Sequence, residues 1–270
     1  MSPVRWLVVV LVIVLVMAAG VFVGQRSVYY QPDRNDPGPA PDRLAGATDV
    51  TLRTTDGLEL AAWRIEPAEP RGMAVLYLPG NGGNRAGRLD AGAALADRGF
   101  TVLLLDYRGF GGNPGNPSED GLVTDARAGL DHLRSAGFGQ AEILYVGESI
   151  GTGVAAQLAV TDPPAGLLLR SPFTSLPDRI NHTTGVPLGW IMRDTFDTLS
   201  AMGSIEVPVT VLAGGSDTLI PPGMSLEVAA AAPHLHEFVE VPGAGHNDGI
   251  WFSPELADWV ASLADAAVDE

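Results

Sequence analysis

From residue 73 onward the chain alternates between short, mainly apolar runs and longer segments with one apolar face. Met73 to Leu78, Thr101 to Leu105, Ile143 to Val146, Leu167 to Leu169, Val207 to Leu212 and Phe238 to Val241 are too short for helices and carry no polar face. That is the pattern of strands covered on both sides, as in a parallel sheet. Between them, helices are predicted over Arg85 to Arg98, closed by Gly99, and from a Ser118 cap through Arg134. Others are predicted over Ile150 to about Val160 and near Pro222 to Ala232 and Pro254 to Ala264. Ahead of this series, Val50 to Thr54 and Leu58 to Ile65 nearly alternate around Asp56-Gly57, which predicts a hairpin with a two-residue turn. The expectation is an α/β fold over residues 47–270: a mainly parallel sheet, an antiparallel N-terminal hairpin and helices on both faces.

Two stretches depart from this rhythm. Trp6 to Val23 is a run of eighteen apolar or small residues bounded by Arg5 and Arg26, about the length a helix needs to cross hydrocarbon. Residues 1–26 are therefore read as a single-pass transmembrane anchor that would make the membrane a partner and hold the domain outside the cytosol. A signal peptide is the other reading, from the small residues Ala18, Ala19 and Gly20. Residues 27–46, with Pro32, Pro37, Pro39 and Pro41, read as a stiff linker, part of which is free to lie against the domain. The second departure is Ser171 to Glu206, 36 residues between two core strands. A small lid at about 174–206 is expected there, with Val186 to Met192 and Phe196 offering apolar surface to an acyl chain or to the domain beneath.

Composition narrows the partners. Thirty-two acidic side chains against sixteen basic ones, all arginine, give a net charge of −16, which argues against nucleic acid. Without cysteine the chain has no disulfide, thiolate nucleophile or thiolate metal site. No motif implies a metal or an organic cofactor, and none fixes an oligomeric state.

The chemistry is concentrated in loops that follow strands, where open parallel sheets gather their functional groups. After the strand at 143–146 comes Gly147-Glu148-Ser149-Ile150-Gly151 and then an Ala-rich helical segment, the strand-turn-helix setting of a nucleophile elbow. Ser149 is the candidate nucleophile. The next strand-end loops supply Asp217, in Gly214-Gly215-Ser216-Asp217, and His246, in Gly245-His246-Asn247-Asp248. The order Ser149, Asp217, His246 is the one expected for this fold, with His246 as base and Asp217 as its orienting acid. Asp194 and Asp197 are rival acids within the lid. Backbone N–H groups of Ile150 and of Asn81, with Gly82 as an alternative to Asn81, are the expected oxyanion donors. Glu148 places an anion beside the nucleophile, there either to disfavour acidic substrates or to face solvent.

Taken in order, Leu78-Pro79-Gly80-Asn81-Gly82-Gly83-Asn84, Asp106-Tyr107-Arg108-Gly109-Phe110-Gly111, the Ser149 elbow, Arg170-Ser171-Pro172-Phe173-Thr174-Ser175, Asp217 and Gly245-His246-Asn247 resemble one group of proteins. These are the small-lid, N-terminally anchored α/β-hydrolases related to serine aminopeptidase-like enzymes and palmitoyl-protein thioesterases. The resemblance covers about residues 48–268. It implies a serine hydrolase acting on small-molecule or acylated substrates, cleaving an ester or thioester through an acyl-enzyme. Serine aminopeptidase or amidase activity is the alternative, and a catalytically silent binding protein is the competing class. The family's oxyanion loop commonly opens with His-Gly, where this chain has Pro79-Gly80.

Overall fold

The computed structural model describes residues 3–187 and 189–269. Leu188, counted above in the lid surface, lies outside them, as do residues 1, 2 and 270 of the stretches assigned above. The side chains of Val14, Leu15, Ala18 and Val21 in the N-terminal apolar run lie outside them as well.

Eight strands form one sheet: β1 (Ala47–Arg53), β2 (Glu59–Ile65), β3 (Ala74–Leu78), β4 (Thr101–Leu105), β5 (Ile143–Glu148), β6 (Gly166–Arg170), β7 (Val209–Gly214) and β8 (Leu235–Val241). Their spatial order is β8-β7-β6-β5-β3-β4-β2-β1, with only β2 antiparallel to its neighbours β1 and β4. The described helices are α1 (Pro3–Tyr29), α2 (Leu89–Asp97), α3 (Glu119–Ser135), α4 (Ile150–Thr161), α5 (Leu176–Thr184), α6 (Thr198–Met202), α7 (Pro222–Ala230) and α8 (Pro254–Asp269).

Both sheet faces are covered because successive side chains of each strand point to opposite sides. Leu76 and Leu78 of β3 join Leu122 and Leu130 of α3 and Val154 and Leu158 of α4 on one face. Val75 and Tyr77 join Leu95 of α2 and Val260 and Leu263 of α8 on the other. This is the α/β architecture the apolar runs predict. The hairpin turn is longer than expected. Thr54 N–H bonds the Leu58 carbonyl at 3.0 Å, and Thr54 Oγ1 accepts from Leu58 N–H at 2.8 Å. Thr55, Asp56 and Gly57 therefore make the turn, with Gly57 at φ +90°.

The N-terminal segment requires a correction. Among the described residues no helix is long and apolar enough to cross a membrane, so the single-pass anchor and the membrane location drawn from it are not retained. The polar residues just beyond the apolar run, expected at a membrane boundary, are bound to the domain instead. Arg26 forms a two-pronged ion pair with Asp194 at 2.6 and 2.8 Å, and Gln25 donates to the Ile191 carbonyl at 3.2 Å. Tyr30, 3% exposed, donates to the same carboxylate at 3.2 Å. Part of the Pro-rich stretch also lies on the domain: Gln31–Pro32 pairs in parallel with Gly82–Gly83, and Gly111 N–H donates to the Asp33 carbonyl at 2.7 Å.

Candidate active site

Ser149 stands between β5 and α4 with φ +52°, a left-handed backbone rare for a residue with a side chain. The turn is tight enough to require both flanking glycines. A Cβ at Gly147 would fall 2.7 Å from the Gly151 carbonyl oxygen, and one at Gly151 would fall 2.1 Å from the Leu78 carbonyl oxygen. Ser149 N–H is held by the Arg170 carbonyl at 2.9 Å, fastening the elbow to β6. The hydroxyl is thereby presented at the carboxyl end of the sheet, which is the strained geometry of a nucleophile elbow.

The structure brings the three candidate catalytic side chains together. His246 Nε2 lies 3.1 Å from Ser149 Oγ, and His246 Nδ1 lies 2.7 Å from Asp217 Oδ2. The other Asp217 oxygen accepts from Leu219 N–H at 2.9 Å and Ile220 N–H at 2.8 Å, which fixes the carboxylate plane. Burial pushes the Asp217 carboxyl up, but the His246 hydrogen bond and these backbone donors outweigh it and hold it below the ordinary range. An ionised Asp217 demands the proton on Nδ1, leaving Nε2 to accept from serine. The rival acids are engaged elsewhere: Asp194 with Arg26, and Asp197 as cap of α6, accepting from Ser200 N–H at 3.0 Å.

The loop after β3 lies beside the elbow. A Cβ on Gly80 would fall 2.7 Å from Glu148 Oε1 and 3.4 Å from the Ser149 Cβ, so the buried carboxylate keeps this position a glycine where the loop passes the nucleophile. Neither Asn81 N–H nor Ile150 N–H donates to another backbone carbonyl among the described residues. The Asn81 side chain is committed to the N-terminal segment, donating to the Tyr29 carbonyl at 2.6 Å. Pro79 offers the loop no side-chain hydrogen bond, but Arg88 does, donating to the Gly82 carbonyl at 2.7 Å.

Arg88 also solves the problem posed by Glu148. Neither expectation for that residue holds: it does not face solvent, being 3% exposed, and its charge is neutralised. Arg88 Nη2 and Arg170 Nη2 each lie 2.8 Å from Oε1, and the Tyr77 hydroxyl donates to Oε2 at 3.1 Å. Burial pushes the Glu148 carboxyl up, yet the two guanidinium groups prevail and hold it at about 2. Through the same arginines Glu148 reaches both neighbouring loops, because Arg170 Nη1 donates to the His246 carbonyl at 2.7 Å. Sequence reasoning missed this hub. Its one signal was a charge next to an all-apolar strand, since a buried carboxylate must find cations.

Above the three side chains opens a cavity of about 1340 Å³. Its floor includes Ser149, His246 and Asn81. The lid contributes Arg179, Ile180, Ile191 and Met192, so that insertion does face the site. Phe196 does not contribute: it is fully buried, with its Cβ 2.8 Å from where a Gly153 Cβ would stand. Among lid residues predicted to offer apolar surface, Val186 and Trp190 are 49% and 84% exposed and lie away from the cavity. A further wall is α1, a second feature that sequence reasoning did not place here.

The eight-stranded order, the elbow between β5 and α4, and the Asp and His on the loops after β7 and β8 define an α/β-hydrolase. Comparison with known proteins agrees. Residues 69–201 match the family model described as "Serine aminopeptidase, S33". Over 256 residues the chain is 42% identical to the Mycobacterium tuberculosis protein Rv2307c, spanning 92% of this chain and 89% of that one. It is 32% identical to the α/β-hydrolase domain-containing protein WAV2 of Arabidopsis thaliana, over 80% of this chain and 77% of that one. The chain belongs to the α/β-hydrolases. Among solved structures it superposes on a Pyrococcus furiosus esterase with a TM-score of 0.70 at 20% identity, covering 88% of this chain and 97% of that one.

Proposed function

We propose that the protein is a serine hydrolase that cleaves carboxylic ester or thioester bonds through an acyl-enzyme at Ser149. The observation that carries this reading is His246 bridging Ser149 Oγ and Asp217, at 3.1 and 2.7 Å. His246 Nε2 takes the serine proton as Oγ attacks the acyl carbon, and the imidazolium so formed is stabilised by Asp217. The oxyanion is received by the backbone N–H groups of Ile150 and Asn81. His246 then gives its proton to the leaving alkoxide or thiolate, and the acyl group remains on Ser149. Water, activated by the same histidine, releases the acid.

An ester is preferred over an aminoacyl amide because an aminopeptidase site needs a carboxylate for the substrate's α-ammonium group. The carboxylate lining this cavity is Glu148, and two arginines already occupy it. A fluorophosphonate probe tests the reading. Labelling of the wild type that disappears in Ser149→Ala is expected, together with loss of ester hydrolysis. Equal labelling of both proteins, or robust turnover of aminoacyl amides with none of esters, would overturn it.

A further inference from the structure

Resting on the serine hydrolase reading, we infer that the C-terminal half of α1 is the acyl-chain wall of the active site, and that the substrate carries a long unbranched acyl chain. Met17, Gly20, Gly24 and Val28 share the cavity with Ser149 and His246, and they recur at helical spacing along one face of α1. From Met17 to Val28 that face runs ~16 Å at 1.5 Å per residue. An extended chain whose zigzag advances ~1.25 Å per ~1.5 Å bond needs on the order of a dozen carbons to follow it. A lid of this size alone argues for a short or medium chain; the added wall lengthens the seat.

Two of the four wall residues are glycine, and the cavity accounts for them. A Cβ at Gly20 or Gly24 would meet nothing within 4 Å, so neither glycine is required by close packing. Each weakens the helix relative to alanine. What their missing side chains leave is open space in the cavity that Ser149 also lines. The wall is also fixed to the rest of the site. Arg26 and Gln25 bind the lid at Asp194 and Ile191, Arg193 N–H donates back to Gln25 Oε1 at 2.8 Å, and Asn81 of the loop after β3 binds the Tyr29 carbonyl. The last turns of α1 are therefore fastened both to the lid and to the loop beside the nucleophile, which keeps the helix face against the cavity that holds Ser149.

The test compares kcat/KM on p-nitrophenyl esters from acetate to hexadecanoate in the full chain, Gly24→Leu and Gly20→Leu. In the wild type, kcat/KM climbs by up to ~4-fold per methylene through about ten carbons or more. In Gly24→Leu the new side chain fills the seat, and the ratio of dodecanoate to butanoate kcat/KM falls by about tenfold or more, with Gly20→Leu cutting only the longest chains. Val23→Leu, at a position of the same helix that does not line the cavity, leaves that ratio unchanged. A general folding defect lowers both rates and cannot move the ratio. A wild-type optimum at acetate or butanoate, or an unmoved ratio in Gly24→Leu, would overturn the acyl-wall assignment while leaving Ser149 catalysis standing. Hydrolysis of no ester at any length would sink the hydrolase reading, and the acyl wall with it.

Discussion

The floor of the cavity and its outer wall are assembled by opposite means. At the floor, the loops after β3, β5, β7 and β8 are short, and their polar groups are paired at hydrogen-bonding distance: Asp217 with His246 and two backbone donors, Glu148 with Arg88, Arg170 and Tyr77. The wall, α1 with the lid, is held by a few polar ties around an apolar surface: Arg26 with Asp194 joins its two parts, and Asn81 with Tyr29 fastens it to the floor. Reaction chemistry needs geometry held within a fraction of an ångström, and only the paired floor supplies that. Chain-length choice needs apolar area, which a tethered helix provides without disturbing the floor. Changes to the floor should therefore act on kcat for every substrate, and changes to the wall on the ranking of substrates.

The largest effect is expected from the floor. His246→Ala and Ser149→Ala should each lower kcat by ~10⁴-fold or more, and the double variant should be little worse, because the three groups act as a unit. Strictly additive losses in steady-state kinetics would contradict that unit. Asp217→Asn should cost ~10² to 10⁴-fold, since an amide cannot favour the Nδ1 tautomer that leaves Nε2 free to accept. If it kept full activity while Asp194→Asn lost it, the acid would have been misassigned.

Next in size is Glu148→Gln, which leaves Arg88 and Arg170 buried with their shared anion gone. Breaking a buried pair in this way costs roughly 3–5 kcal/mol, to be read from denaturant unfolding. The variant should also lose part of the acid limb. With its folded pKa at about 2 against an ordinary 4.5, Glu148 contributes stability that is fully present above about pH 4.5 and is lost as pH falls toward 2. Stability of Glu148→Gln should thus fall less steeply over that window than the wild type. A parallel pair of curves would show that the carboxylate is not held ionised. Buried Asp106 makes a useful contrast, because burial outweighs its single Arg85 partner and raises it to about 6.

The smallest effect belongs to the wall. Asp194→Asn frees Arg26 and weakens the Tyr30 bond, so KM for a dodecanoyl ester should rise a few-fold while kcat changes little. A fall in kcat equal for butanoate and dodecanoate would mean that the tie supports the floor instead.

The same division governs what the sequence discloses. Gly147, Ser149 and Gly151 sit within five residues of one another, and Asp217 and His246 each lie on the loop after a recognisable strand, so local pattern is enough to nominate the floor residues that the fold brings together. The ties that complete the site are long-range. Arg88 reaches Glu148 across 60 positions, and Arg26 reaches Asp194 across 168. Nothing near Glu148 in the chain announces its two cations. Nothing in the run from Trp6 to Val23 announces that the turn after it docks on the lid, which is why apolar length alone misled. The Thr54 hydroxyl that lengthens the hairpin turn is a subtler case, a side chain replacing a backbone partner where Asp56-Gly57 favours a tighter turn.

The most direct test is to trap the acyl-enzyme. The wild type is mixed with p-nitrophenyl dodecanoate, quenched in acid during the first turnovers, and mapped by peptide mass spectrometry. A dodecanoyl group on the peptide containing Ser149, absent from Ser149→Ala and formed more slowly in Gly24→Leu, is the predicted result. Steady release of p-nitrophenol with no adduct on that peptide, and undiminished in Ser149→Ala, would contradict the account.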